Sequence, residues 1–375
     1  MVKKLRSVIG ANYGDEGKGL VTDYFAAKDI NDGYKTIVVC MNGGAQRGHT
    51  VVLPDGRRHV FHHFGSGTFA GADTYLSPHF IVEPMSFCAE LKELSDVEIG
   101  KIFVSANCRV TTPYEIIMNK MLEESRGENR HGSCGMGIWE TVNGYRQSTE
   151  YLRFGEIVDI NWELAKRKEN FVDNLIKHHR SGEITNEIYN KWMDIIVSPD
   201  LYKDYVIAFN RMRELSCVSD YRMLKKYDSV ITENGQGLLL SEDKDNVHTT
   251  PSNTGLKYVK EIEEILGMQT EPIYVTRTYL TRHGAGDFEE KDIGTFDDKT
   301  NVPNEYQGSM RYGKLGLDIL QRVKMDAGNR KKSLFITHAN EVPASPYLVG
   351  ADGFKNVYVS SSEVRNEKVM AINNE

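Results

Sequence analysis

Positive charge, patterned cysteine and long apolar runs are all in short supply in this 375-residue chain. Lysine and arginine total 46 against 53 Asp and Glu, a formal charge of −7. A general binder of nucleic acid or of a membrane surface leans the other way, so any phosphate ligand must be held by a local site. The cysteines, Cys40, Cys88, Cys108, Cys134 and Cys217, are odd in number and include no C-x-x-C pair; they read as reduced thiols of a cytoplasmic protein. No apolar run approaches the ~20 residues of a membrane span. Met1-Val2-Lys3-Lys4 leads straight into the first strand, which leaves no room for a signal peptide. Repeats and low-complexity tracts are missing too. What remains is an ordinary globular composition, 40% hydrophobic and 26% charged, with ample material for a core.

The first informative stretch is L-R-S-V-I-G-A-N-Y-G-D-E-G-K-G-L-V-T-D-Y, Leu5 to Tyr24. A short apolar run gives way to four glycines, after which Leu20, Val21 and Tyr24 recur at helical spacing: strand, Gly-rich turn, helix. Gly14, Gly17 and Gly19 let backbone N–H groups converge at a helix N-terminus, which suits a phosphate, and Lys18 adds a full positive charge. The spacing is not that of the Walker A motif, because the required positions hold Asn12 and Gly19. Asp15 and Glu16 repel a phosphate unless a cation lies between or one of them takes a proton from the substrate. Both explanations are chemical.

Further apolar runs of the buried-strand kind occur at Thr36–Cys40, Lys101–Ser105, Ser229–Thr232, Tyr274–Thr276, Ser333–Thr337 and Asn356–Val359, most ending in small polar loops. The pattern predicts an α/β protein: a large, mostly parallel central sheet flanked by helices, P-loop-like, with ligands at the carboxyl ends of the strands. A single domain over 1–375 is expected, with a helical insertion at about 160–225 anchored by Ile176, Ile188, Trp192, Ile196 and Tyr205 and carrying no chemistry of its own. Thr112, Pro113 and Glu115 spell a capping box at the start of another helix, and Leu315–Met325 reads as an amphipathic one. The second Gly-rich loop, Asn42 to Thr50, brings His49 beside the first, where an imidazole can donate a proton or a hydrogen bond to a transferring phosphate. In His59-Val60-Phe61-His62-His63, alternation separates His59 from His62 and no acid stands at ligand spacing, so the cluster reads as strand filler. The third Gly-rich loop, Arg130 to Gly137, is weak alone. Phe288 to Asn304 is acidic and turn-rich, a surface segment.

With Gly14-Asp-Glu-Gly-Lys-Gly19 and Gly48-His-Thr50 in hand, the chain resembles the adenylosuccinate synthetases. The likeness extends through Gly132–Gly137, Leu152–Gly155, Glu233–Gly237, Ser252-Asn253, Thr281–Gly286 and the strand ending at Thr337. The resemblance implies ligation of L-aspartate to C6 of a 6-oxopurine nucleotide, driven by a nucleoside triphosphate with Mg²⁺, on a homodimer. It assigns catalysis to Asp15, His49 and Lys18, with Asp15 and the Gly48 carbonyl also on the metal. Gly14, Glu16, Gly17, Lys18, Gly19, Gly48, His49, Thr50, His338, Asn340, Ser360 and Ser362 would hold the triphosphate. Asp15, Gln46, Ser133, Cys134, Gln236 and Thr250 would line the monophosphate, joined by Arg146 across the dimer if a gap is allowed. Ser309, Met310 and Arg311 would hold aspartate.

Departures from the pattern bear on the substrates. Ordinary members read guanine with a Lys-x-Asp where this chain has His338-Ala-Asn340. A carboxylate only accepts, which suits N1–H and N2–H₂ of guanine, whereas Asn340 offers an acceptor and a donor that suit N6–H₂ and N1 of adenine. ATP, or dATP, is therefore the expected phosphoryl donor. Ser362 replaces a glycine in the base pocket. Around the monophosphate a threonine has become Cys134 and an alanine Arg47. This set resembles a viral branch that joins aspartate to dGMP on the way to 2-aminoadenine DNA, acting in the host cytoplasm. The alternatives are the ordinary reaction on IMP with GTP, and a non-catalytic nucleotide sensor, which would need no proton acceptor such as Asp15.

Overall fold

The computed structural model describes residues 1–147, 152–244, 248–289, 293–294, 296, 301, 308–344, 353–365 and 369–373. Strand β1 (Lys4–Gly10) runs into the first Gly-rich loop and helix α1 (Lys18–Asn31), followed by β2 (Thr36–Cys40), the hairpin β3 (His49–Val52) and β4 (Arg58–Phe61), β5 (Asp73–Leu76) and β6 (Ile81–Val82). Next come α2 (Pro84–Glu93), β7 (Ile102–Ser105), β8 (Arg109–Val110), α3 (Pro113–Arg126) and α4 (Ile138–Gln147). Helices α5 (Ile160–Arg180), α6 (Asn186–Val197) and α7 (Pro199–Leu215) lead to β9 (Ser216–Ser219) and β10 (Ser229–Gly237). The remainder is α8 (Val259–Leu266), β11 (Glu271–Arg277), β12 (Leu280–Arg282), β13 (Arg311–Gly313), α9 (Asp318–Ala327), β14 (Ser333–Thr337), β15 (Asn356–Ser360) and β16 (Val369–Asn373).

Ten strands form one sheet in the order β16-β15-β14-β11-β1-β10-β2-β5-β7-β9. All its pairings are parallel except the last, β15 with β16. The central strand is β1, flanked by β10 in the register Lys4↔Ser229 and by β11 in the register Arg6↔Glu271. Strands buried on both faces must be apolar at successive positions, and these are. Val8, Val38, Ile231, Ile273 and Phe335 pack on one face with Val21, Phe25 and Ala26 of α1. Ile9, Ile37, Val39, Tyr274 and Leu334 pack on the other with Val259 and Ile262 of α8 and Ile319 and Val323 of α9. Each such side chain contributes roughly 1.5–3 kcal/mol by leaving water. That shell fixes the strand ends from which the loops project.

The expected α/β sheet is present, with local differences. β10 does not stop at Thr232 but continues through Glu233 to Gly237, because Glu233 is buried among cationic and polar partners and not expelled. The last helix begins at Asp318, not Leu315. Between 160 and 225 stand three helices followed by β9, which pairs with β7 and forms one edge of the main sheet. Of the expected anchors there, Trp192, Ile196 and Tyr205 are buried, while Ile176 and Ile188 are half-buried, α5 turning Leu164, Phe171 and Leu175 inward instead. The capping box is as expected: Thr112 N–H donates to Glu115 Oε2 at 2.8 Å and Tyr114 N–H to Thr112 Oγ1 at 3.3 Å. His59 and Phe61 share a face, with ring centroids 4.7 Å apart, but the histidines also surround an acid distant in sequence. Glu90 of α2 accepts the His62 and His63 amides at 2.9 and 2.6 Å. No helix among the described residues is long and apolar enough to cross a membrane.

Candidate active site

The loop after β1 is held from within. Gly17 caps α1 at φ 91°, a left-handed conformation that costs glycine little. At Gly19 a Cβ would stand 2.6 Å from the Thr50 carbonyl oxygen, so only glycine lets α1 approach β3 this closely. Glu16 is 1% exposed and turned inward: Oε1 accepts the Asn12 and Gly14 amides at 3.0 and 2.9 Å, and Oε2 accepts Lys18 Nζ at 2.8 Å. Burial pushes its carboxyl up, but the Lys18 charge and these bonds outweigh that and hold it below the ordinary range. Thr281 and Thr337 hydroxyls donate to the Gly14 and Glu16 carbonyls, and Arg277 Nε to that of Asp15. The two loop acids thus part company: Glu16 pins the loop and aims Lys18, and Asp15 faces the cavity. Asp15 and His338 are the non-glycine residues of positive φ among those described, both at 59° and both on the cavity wall. Such strain, of order 1–3 kcal/mol, is retained where the surroundings over-determine it.

His49 begins β3. Its Nδ1 lies 3.1 Å from Glu233 Oε2, and its Nε2 is buried with no partner among the described residues. Burial drives the imidazole down to about 4, opposed in part by Glu233. Glu233 is itself gripped by Arg47 Nη1 at 2.6 Å, which with His49 and Ser66 keeps it ionised against the cost of burial. This corrects the expectation for Arg47. It is fully buried, does not line the cavity, and faces Glu233 and the backbone instead of a monophosphate.

One cavity of ≈ 1680 Å³ opens at these strand ends. Its walls bring together Asp15, Gly17, Lys18, Gly19, Gly48, His49 and Thr50 with Gln46, Ser133, Cys134, Gln236 and Thr250, and with His338, Asn340 and Ser362. Gly14, Glu16 and Ser360 lie behind the wall, Ser360 Oγ donating to the Ser362 carbonyl at 2.9 Å. Ser309 is exposed and Met310 buried, and Arg311 donates through Nη2 to the Gly284 and Gly286 carbonyls at 2.7 and 3.1 Å; none of the three is on the wall. Arg146 falls in α4, its side chain outside the described residues. The expected acidic segment 288–304 lies largely outside them as well.

The far wall belongs to α3 and the loop it holds. Glu123 Oε2 accepts the Gly132 amide at 3.0 Å, and Asn119 Oδ1 accepts Ser133 Oγ at 3.2 Å, while Asn119 Nδ2 donates to Glu140 Oε1 at 3.2 Å. Burial raises Glu140 to about 7, and its Oε2 has no partner among the described residues; burial likewise lifts the Cys134 thiol to about 11. A second correction concerns the helices after residue 160: Arg167, Asn170, Asn174 and Lys177 form one stripe of α5 that lines the cavity, so this segment does supply a wall. Sequence reasoning missed Glu233, Arg277, Arg282, Asn119 and Glu140. Glu233, a carboxylate at the end of an apolar strand run, and Arg282, inside the family-like stretch Thr281–Gly286, left a signal but were given no role.

The protein-family model described as adenylosuccinate synthetase matches residues 7–337. An adenylosuccinate synthetase of Borrelia turicatae is 25% identical over 343 residues, covering 88% of this chain and 75% of that protein. Among solved structures, the succinoaminodeoxyadenylate synthetase PurZ of cyanophage S-2L, bound to dGMP and dATP as an energy donor, aligns over 99% of this chain and 95% of its own at TM-score 0.67 and 19% identity. The fully ligated adenylosuccinate synthetase of Plasmodium falciparum aligns over 99% and 87% at TM-score 0.65 and 18% identity.

Proposed function

The chain belongs to the adenylosuccinate synthetase family and is a carbon–nitrogen ligase of that kind, and from that premise we propose that it joins L-aspartate to C6 of dGMP at the expense of ATP or dATP. The products are N6-succino-2-amino-2′-deoxyadenylate, the nucleoside diphosphate and phosphate. The observation that carries the reading is the division of labour in the first loop, where Glu16 is sequestered and Asp15 faces the cavity beside Lys18 and His49.

An amide-like C6 oxygen is a poor leaving group and must first be phosphorylated. Asp15 takes the N1 proton, the electrons shift toward O6, and O6 attacks the γ-phosphorus. Lys18, aimed by Glu16, stabilises charge on the phosphoryl group in transfer, and His49 joins it through Nε2 once the ring takes a proton with the phosphates bound, Glu233 balancing that charge at Nδ1. The aspartate amine then attacks C6 and phosphate leaves. Gln46, Ser133, Cys134, Gln236 and Thr250 hold the monophosphate, with Arg146 reaching it across a homodimer. Mg²⁺ fits the donor set, since the Asp15 carboxylate and Gly48 carbonyl are hard oxygens and this ion takes its other ligands from phosphates and water. When bound it neutralises phosphate charge. The whole chain acts as one catalytic domain.

Asn340 on the wall beside His338 supports adenine as the donor base. The ligands of the cyanophage protein, dGMP and dATP, support dGMP as substrate and adenine as the donor base. The curated relatives favour a second reading, IMP with GTP. Incubation with aspartate, Mg²⁺ and each pairing of IMP or dGMP with ATP or GTP, followed by absorbance of the succino-nucleotide, separates them. Turnover confined to IMP with GTP would overturn the dGMP reading, and silence with all four pairings would leave a nucleotide sensor.

A further inference from the structure

Asp15 and His338, the two non-glycine residues of positive φ on the cavity wall, have their carbonyls held from one short stretch at the end of β11. Arg277 Nε donates to the Asp15 carbonyl at 2.5 Å, and Thr278 Oγ1 to the His338 carbonyl at 3.2 Å. Arg277 is also braced from the side: Nη1 donates to Tyr279 Oη at 2.9 Å, and the Tyr279 hydroxyl donates to Oε2 of Glu341, the residue after Asn340. A guanidinium has no acceptor, so the hydroxyl must accept from Arg277 and its one proton is left for Glu341. Arg277 and Tyr279 are buried, and Tyr279 lies behind the cavity wall with its ring edge-on to His338, centroids 5.9 Å apart.

We infer that Arg277 is a positioning residue that holds Asp15 through its main chain, and that Tyr279 and Glu341 set the Arg277 guanidinium from the loop that carries Asn340. A left-handed conformation at a residue with a Cβ persists only where its surroundings over-determine it. Without the bond to its carbonyl, Asp15 is free to turn toward negative φ, and its Cβ and carboxylate swing with the main chain. A displacement of ~1 Å in a reacting group can cost ~10²-fold in rate. The chain Glu341–Tyr279–Arg277 thus makes one unit of the loop proposed to read the donor base and the loop proposed to take the proton. The consequence for turnover rests on the role proposed for Asp15, whereas the hold on its main chain does not.

Crystal structures of the wild type and of Arg277→Met read the hold directly. The wild type is expected to keep Asp15 at positive φ with Arg277 on its carbonyl, and Arg277→Met to show it at negative φ. The decisive kinetic variant is Tyr279→Phe, which alters no charge and no group on the cavity wall. With whichever nucleotide pair the enzyme accepts, its kcat is expected to fall about 3–10-fold, the worth of one hydrogen bond, while the monophosphate KM stays within about 3-fold, the split expected of a loss felt in the transition state and not in binding. Arg277→Met should lose ~10–100-fold in kcat. In a Glu341→Ala background Tyr279→Phe should cost nothing further, since members of one chain do not add. An Asp15 that keeps positive φ in Arg277→Met, a Tyr279→Phe enzyme with the wild-type kcat, or additive losses in the double variant would overturn the inference. Should Arg277→Met not fold, Tyr279→Phe and the double variant decide it. Absence of turnover with every pair sinks the proposed function and leaves the crystal structures to judge the hold on Asp15, with Tyr279→Phe standing in for an Arg277→Met that does not fold.

Discussion

The end of the cavity proposed for phosphoryl transfer and the end proposed for the purine nucleotide follow opposite electrostatic plans. At the first, each buried charge meets its partner inside the protein, Glu16 with Lys18 and Glu233 with Arg47, and the polar atoms left over among the described residues include His49 Nε2 and His62 Nδ1, on residues that line the cavity. At the second, Glu140 Oε2, Gln46 Oε1, Arg282 Nε and His283 Nδ1 are buried without partners among the described residues. Unsatisfied buried polar atoms cost free energy until something bonds to them. The difference teaches where each part of the work is done: groups that stabilise moving charge are fixed before any ligand arrives, and groups that recognise a ligand wait for it.

If the phosphoryl end is prearranged by its ion pairs, breaking one has the largest effect. Glu16→Ala removes the acceptor of two loop amides and strands Lys18, which is 4% exposed. Removing one partner of a buried pair typically costs ~3–5 kcal/mol, and denaturant unfolding should show a loss of that size. A loss under ~1 kcal/mol would mean that water already screens the pair and that the contrast between the two ends is wrong. Asp15→Asn tests the other member of the loop. It should lower kcat by roughly 10²–10⁴-fold, the share of a proton-accepting group, and leave unfolding within about 0.5 kcal/mol. An intact turnover would remove the assigned base.

The contrast also explains what could be read in advance. Strands with apolar residues on both faces and glycines at their ends are local signals, so the parallel sheet and the loops around Asp15, His49 and Ser133 were legible in the chain. The pairing of Glu16 with Lys18 was not, because two acids beside a lysine look alike until the backbone turns one inward. Arg47 misled for the same reason: its position beside His49 is visible, but its target is 186 positions away at Glu233. Glu140 and Asn119 sit on helix faces with no motif, and the edge strands β9 and β16 are short segments whose pairing partners alone make them strands.

A smaller effect is expected at the wall shared by both ends, where Asn340 stands exposed after β14. Asn340→Asp exchanges an acceptor–donor pair for acceptors alone and should favour GTP over ATP by ~1–3 kcal/mol, the worth of one bidentate base contact. Ratios of kcat/KM for the two triphosphates measure it. An unchanged ratio would move donor recognition elsewhere on the wall and leave the two-ended description without its adenine reader.

The smallest effect tests the unanswered half itself. Burial lifts Glu140 from 4.5 to about 7, so between those values the folded protein keeps a proton that the unfolded chain releases. Its contribution is complete below pH ~4.5, drains as the pH rises and levels off above about 7. Glu140→Gln carries no titration, so the difference in unfolding free energy, wild type minus variant, should fall across that window. At 1.36 kcal/mol per unit the ceiling is ~3 kcal/mol, and partial solvent access at the cavity wall reduces this to about 1 kcal/mol. Parallel curves for the two proteins would mean that Oε2 is solvated after all, and the purine end would then be no more expectant of a ligand than the phosphoryl end.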